Sequence, residues 1–148
     1  MDMQEYINNA MTARRKEVLS RSDQLTLGEL ILKLEPIVKK QKDRQDEASI
    51  KYDFEYLFPT GLDSWRGSYE ELALNYETEG KYMSVTAFYN MLTETVGKTF
   101  HGYKGGEYVM NKHTPIWVAN YGNSGNTAVV DVVDNDYEVI LITGIREF

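Results

Sequence analysis

Thr127-Ala128-Val129-Val130-Asp131-Val132-Val133-Asp134-Asn135-Asp136-Tyr137-Glu138-Val139-Ile140-Leu141-Ile142-Thr143 is the stretch that decides the fold. Ala128 to Val133 and Tyr137 to Thr143 are dominated by apolar and β-branched residues, the composition of strands. Asp134-Asn135-Asp136 between them is turn chemistry. Val129-Val130 and Ile140-Leu141-Ile142 are continuous apolar runs, so these strands are expected to be covered on both faces. Immediately upstream, Pro115 opens a strand through Ile116-Trp117-Val118-Ala119-Asn120-Tyr121, and Gly122-Asn123-Ser124-Gly125-Asn126 turns it. The C-terminal third therefore reads as a β-meander.

Two capped helices lie N-terminal to it. Thr26 and Glu29 have capping-box spacing, and Leu27, Leu30, Ile31 and Leu34 recur at helical intervals. Pro36 is expected to end or kink that helix. The charged run Lys39 to Glu47 then reads as an exposed connection. Ser84 is a good N-cap for another helix carrying Val85, Phe88, Met91, Leu92 and Val96 on one face, and Gly97 stands where a left-handed residue closes a helix. Between the helices the period changes to two. Ile50, Tyr52, Phe54 and Tyr56 form one half-buried strand, Pro59-Thr60-Gly61 breaks it, and Leu72, Leu74 and Tyr76 are the inward set of another. Asp63 to Tyr69 is then the long loop of a hairpin.

The expected architecture is α+β: an antiparallel sheet of about five strands with two or three packed helices. Residues 1–22 form an N-terminal helix with a thin apolar stripe, suited to packing on a partner subunit, and 23–148 form a single domain.

Composition narrows the chemistry. With 148 residues the chain can bury a core without staples, and with no cysteine it has neither disulfides, thiol nucleophiles nor thiolate zinc sites. No secretory leader and no bilayer-length apolar run is evident, so a cytoplasmic protein without a membrane partner is expected. The net charge is -7. Residues 1–49 carry nine basic and nine acidic side chains, whereas 50–148 carry seven against fourteen. No cation cluster suits duplex nucleic acid.

Catalytic patterns are weak. His101 and His113 are the two histidines, and no serine occupies a nucleophile elbow. Two histidines with Glu107 match no metal spacing that has a mechanism, and no cofactor is called for. Gly102-Tyr103-Lys104-Gly105-Gly106 superficially suggests a phosphate loop, but the Lys-Ser/Thr and the following helix of a nucleotide-hydrolysing motif are missing. Its backbone N–H groups and one cation still suit an anion.

Binding has more support. Arg66 stands in Asp63-Ser64-Trp65-Arg66-Gly67-Ser68-Tyr69, and this loop is expected to face the glycine-rich segment around Lys104. Trp65, Tyr69, Tyr103 and Trp117 offer stacking surfaces, although aromatics in strands equally serve as core residues. Arg66 and Lys104 would neutralise phosphate, Trp65 and Tyr103 would stack on a base, and Ser64, Ser68 and Asn120 would fix orientation.

Pro59-Thr60-Gly61-Leu62-Asp63-Ser64-Trp65-Arg66-Gly67-Ser68-Tyr69 with Leu72-Ala73-Leu74, Gly97-Lys98-Thr99-Phe100 with Gly102-Tyr103-Lys104-Gly105-Gly106, and Thr114-Pro115-Ile116-Trp117-Val118-Ala119-Asn120-Tyr121-Gly122 together carry a resemblance. From about Leu25 to Thr143 the chain resembles a family of small uncharacterised proteins of tailed bacteriophages and prophages. The resemblance implies a phage accessory protein of the counter-defence kind in the host cytoplasm. By analogy it would sequester a nucleotide-derived small molecule as a homo-oligomer, without catalysis. Two other readings stand beside it: an acidic inhibitor of a host defence protein, and a nucleotide-processing enzyme using His101 or His113 with Glu107.

Overall fold

The computed structural model describes residues 23–42, 44, 47–54, 57–64, 71–76, 83–101, 106–119 and 127–145, with Asp63 and Ser64 described by their backbone. The expected N-terminal helix lies outside them. Helix α1 (Leu27–Gln41) starts with the capping box read from the sequence. Glu29 N–H donates to Thr26 Oγ1 at 3.2 Å and Thr26 N–H donates to Glu29 Oε1 at 3.0 Å. Leu27, Leu30 and Leu34 are buried. Pro36 does not end this helix, which continues to Gln41. Its final turn and the residues just beyond are fastened to Ala48 and Asp136. Gln41 Oε1 accepts from Ala48 N–H at 2.9 Å, and Arg44 Nη1 donates to the Asp136 carbonyl at 3.0 Å. The expected exposed connection after Lys39 is thus tied down at Gln41 and Arg44.

Helix α2 (Val85–Thr95) is capped by Ser84, whose Oγ accepts from Ala87 N–H at 3.1 Å. Val85, Phe88, Leu92 and Thr95 are buried, whereas Val96 falls just beyond the helix and is exposed. Gly97 has φ +83°, the left-handed conformation expected of it.

Eight strands among the described residues are, in sequence order, β1 (Ser49–Tyr52), β2 (Leu62–Ser64), β3 (Leu72–Leu74), β4 (Thr99–His101), β5 (Glu107–Val109), β6 (Ile116–Val118), β7 (Thr127–Asn135) and β8 (Glu138–Ile145). Six of them form one sheet in the order β1-β8-β7-β6-β3-β2, and β4-β5 is a separate two-stranded sheet. The class is α+β as expected, but the main sheet is mixed rather than antiparallel. Strand β1 runs parallel to β8 and β3 parallel to β6. The expected hairpin between the 50–56 strand and the 72–76 strand is replaced by β2 paired with β3, because Leu62 to Ser64 beyond the Pro59-Gly61 break is itself a strand. Parallel partners need no adjacent turn, so no local signal marks them.

Strand alternation separates two faces. Leu72, Leu74, Ile116, Val118, Val129, Val139 and Leu141 face both helices in the larger core. Ala73, Trp117, Ala128, Val130, Val133, Ile140 and Ile142 form a second cluster that contains no residue of either helix. The paired runs 129–130 and 140–142 are buried on both faces, as their composition predicts. A register shift between Val129 and Asp131 reverses the alternation within β7, which is how Val132 comes to pack on the helix side and Val133 on the other. Leu25 wedges between β6 and β7: its N–H donates to Val129 O at 2.8 Å and its carbonyl accepts from Ile116 N–H at 3.1 Å.

Candidate functional site

The connection carrying Arg66 leaves the sheet at Ser64 and returns at Glu71. Trp65, Arg66, Ser68 and Tyr69 lie outside the described residues, as does the Ser64 side chain, but both anchoring points are well defined. Ser64 is the register partner of Leu72, and Leu72 N–H donates to the Pro115 carbonyl at 3.0 Å. Glu71 Oε1 accepts the indole N–H of Trp117 at 2.8 Å. Trp117 is fully buried beside its register partners Ala73 and Ala128, small residues that leave room for the ring. It therefore sits in the second core cluster, with its polar edge engaged by Glu71.

The glycine-rich segment joins β4 to β5. Tyr103 and Lys104 lie outside the described residues. Gly106 is described, and a Cβ there would come within 2.8 Å of Tyr108 Oη, so one glycine of the segment serves the packing of the hairpin's own tyrosine. His101 and Glu107 face each other across the hairpin, with Nδ1 and Oε1 3.8 Å apart on strongly exposed side chains. Among the described residues no group of three or more His, Asp or Glu is placed to hold a metal ion. Strand β2 lies against β4. That contact joins the strand leading into the Arg66 connection to the strand leading into the Lys104 connection.

No protein-family model matches the chain, and comparison with curated proteins and with solved structures finds no match.

Asn120 lies outside the described residues, and the segment that carries it leaves from the other end of the sheet. Ala119 N–H donates to Leu74 O at 2.7 Å, whereas Ser64 pairs with Leu72. With β3 and β6 parallel, the 65–70 and 120–126 connections start from opposite ends of β3.

Charge is redistributed by the fold. Lys33 pairs with Asp131 at 3.4 Å, Lys51 with Glu138 at 3.1 Å, and Lys40 with both Asp134 and Asp136. Four acids of the β7–β8 hairpin are thus met by lysines from earlier in the chain. The acidic excess of the second part does not form an uncompensated stripe along this hairpin. Arg44 lies 4.2 Å above the centroid of the exposed Tyr137 ring. No helix among the described residues is long and apolar enough to cross a membrane.

Sequence reading missed two polar residues. Glu71 reads as one polar position in an alternating strand, and its partner Trp117 is 46 residues away in sequence. Asp53 reads as the solvent side of a strand, yet it is buried, accepting from Thr143 N–H at 2.8 Å and from Thr143 Oγ1 at 2.6 Å. Neither pairing leaves a local sequence signal.

Proposed function

We propose that this protein binds and sequesters a nucleotide-derived small molecule without transforming it, in a phage counter-defence role. The observation that carries the reading is the packing of β2 against β4, the strands that lead into the Arg66 and Lys104 connections. Two cations and the aromatics Trp65, Tyr69 and Tyr103 drawn from these connections would answer the phosphate and the base of such a ligand. The phage setting rests on the resemblance of the three sequence segments.

Other features weigh in the same direction. The His101–Glu107 pair is exposed on a hairpin rather than enclosed in a cleft's interior. Lysine pairing along β7–β8 weighs against a continuous acidic face for a protein partner. Asn120 and Trp117 contribute least to the proposed site, the first because its segment starts from the opposite end of β3 and the second because it is buried.

Calorimetric titration of the purified protein with cyclic nucleotides and ADP-ribose derivatives tests the reading. Binding in the micromolar range or tighter to one of them is expected. If every compound binds at millimolar strength or weaker, or if a bound compound is turned over, the reading fails.

A further inference from the structure

The main sheet has an apolar face that neither helix touches. Trp117, Val130, Ile140 and Ile142 lie on it, none more than 5% exposed, although the chain is alone. Burial this deep without a partner chain means that no second copy is needed to keep water from the face. Yet among the described residues the one half-buried apolar side chain packed on this cluster is Ala119, which is too small to roof four strands.

The chain enters the sheet beside that face. Leu25 N–H donates to Val129 O at 2.8 Å and Leu25 O accepts from Ile116 N–H at 3.1 Å, while the buried Gln24 donates from Nε2 to Ile116 O at 2.9 Å. Trp117 and Ala128 of the apolar face are the immediate neighbours of Ile116 and Val129. Residues 1–22 therefore end next to the middle of the face. Its four strands, β8-β7-β6-β3, measure about 14 Å across at a spacing of about 4.8 Å, and 22 residues in a helix would span about 33 Å. The 65–70 and 120–126 connections are six and seven residues long and are tied to strands at both ends.

We propose that the apolar face is the docking surface for residues 1–22 of the same chain. Met3, Ile7, Ala10 and Met11 recur at helical spacing and supply the apolar stripe that would lie on Trp117, Val130 and Ile140. The segment is then a third layer of the fold, in place of the packing on a partner subunit that its thin stripe suggests. This assignment is independent of the ligand-binding reading.

The chain has no cysteine, so introduced thiols report single positions. Val130→Cys reports the apolar face, and Val129→Cys reports the helix side of the same strand. Each is placed in the full chain, with and without Ile7→Glu and Met11→Glu, and its rate of reaction with a maleimide is measured. The two glutamates are expected to speed reaction at Val130→Cys about tenfold or more while Val129→Cys stays protected. An unchanged rate at Val130→Cys, or equal acceleration at both positions, would overturn the proposal. A second measurement leaves the stripe free of charge: Ile7→Cys or Met11→Cys is combined with Val130→Cys and oxidised. A disulfide within one chain is expected from at least one pair. Links only between chains would assign the face to a second copy, and no link from either pair would assign it to another segment; both overturn the proposal.

Discussion

The Tyr52 hydroxyl donates to the carbonyl of Asn75 at 2.5 Å, joining the end of β1 to the residue after β3. These strands are four steps apart in the sheet, about 19 Å if it were flat at the usual spacing of about 4.8 Å, which is farther than a tyrosine reaches. The sheet is therefore curled toward the helices, and Tyr52 bridges its two sides. Phe54 stacks on Tyr52 with centroids 5.2 Å apart, and Tyr76 meets Phe54 edge-on at 6.5 Å. Together the three rings fill the closing seam.

Tyr52→Phe removes the bridge while keeping the ring. A loss of about 0.5–1.5 kcal/mol is expected in urea unfolding, and Tyr52→Ala should cost about 3–5 kcal/mol because the ring is buried. Equal stability of wild type and the Phe variant would show that the hydroxyl bond does not hold the seam.

Asp53 extends the β1–β8 edge with its side chain, since its carboxylate accepts both the N–H and the hydroxyl of Thr143. Asp53→Ala leaves two buried donors without these acceptors and should destabilise by about 2–4 kcal/mol. Asp53→Asn retains one acceptor oxygen and should fall between. Denaturant titration of the three proteins gives the order directly, and an Asn variant as weak as Ala would contradict it.

Lys40 contributes one pH dependence among the described residues. Its hydrogen bond to Asp134 raises its pKa above the ordinary 10.5, burial opposes the rise, and the bond to Asp136 adds to it. A raised folded pKa means stability that is complete below 10.5 and is lost as pH climbs through the higher folded value. The stability gap between wild type and Lys40→Met should be level from about pH 7 to 9 and shrink above about 10.5. Because the ammonium is half exposed, the gap should also narrow with added salt. A gap that widened with alkali would contradict the assignment.

Gly28, in the first turn of α1, donates its N–H to Lys112 O at 2.9 Å, and a Cβ there would stand 2.8 Å from Lys112 Cβ and 2.9 Å from its carbonyl oxygen. One of these contacts is backbone, so Gly28→Ala should destabilise by about 1–3 kcal/mol despite alanine's higher helix propensity. Gly97→Ala should also destabilise, for a different reason: it has open space but φ +83°. A rise in melting temperature for Gly28→Ala would show that α1 can shift away from residue 112.

What the sequence revealed followed the range of its signals. The Thr26–Glu29 box, the Ser84 cap, Gly97 and the two-faced burial of 129–130 and 140–142 are local patterns, and each is found in place. Pro36 does not end α1, since a helix can carry a proline when tertiary contacts hold the turn beyond it, as Gln41 does here. The parallel pairs β1–β8 and β3–β6 join segments about 90 and 44 residues apart, and pairing at that range has no adjacent turn to announce it. For the candidate site, the sequence marked Trp117 as an aromatic of interest but could not show that its face is buried or that Glu71 receives its N–H.

In the proposed function the Arg66 and Lys104 connections serve one anionic ligand. The most direct test is calorimetry of the best-binding compound from the nucleotide panel against wild type, Arg66→Ala and Lys104→Ala. Each variant is expected to lose about tenfold or more in affinity, roughly 1.4 kcal/mol, with unfolding stability unchanged. Tight binding that survives both substitutions, or no binding by the wild type, would contradict it.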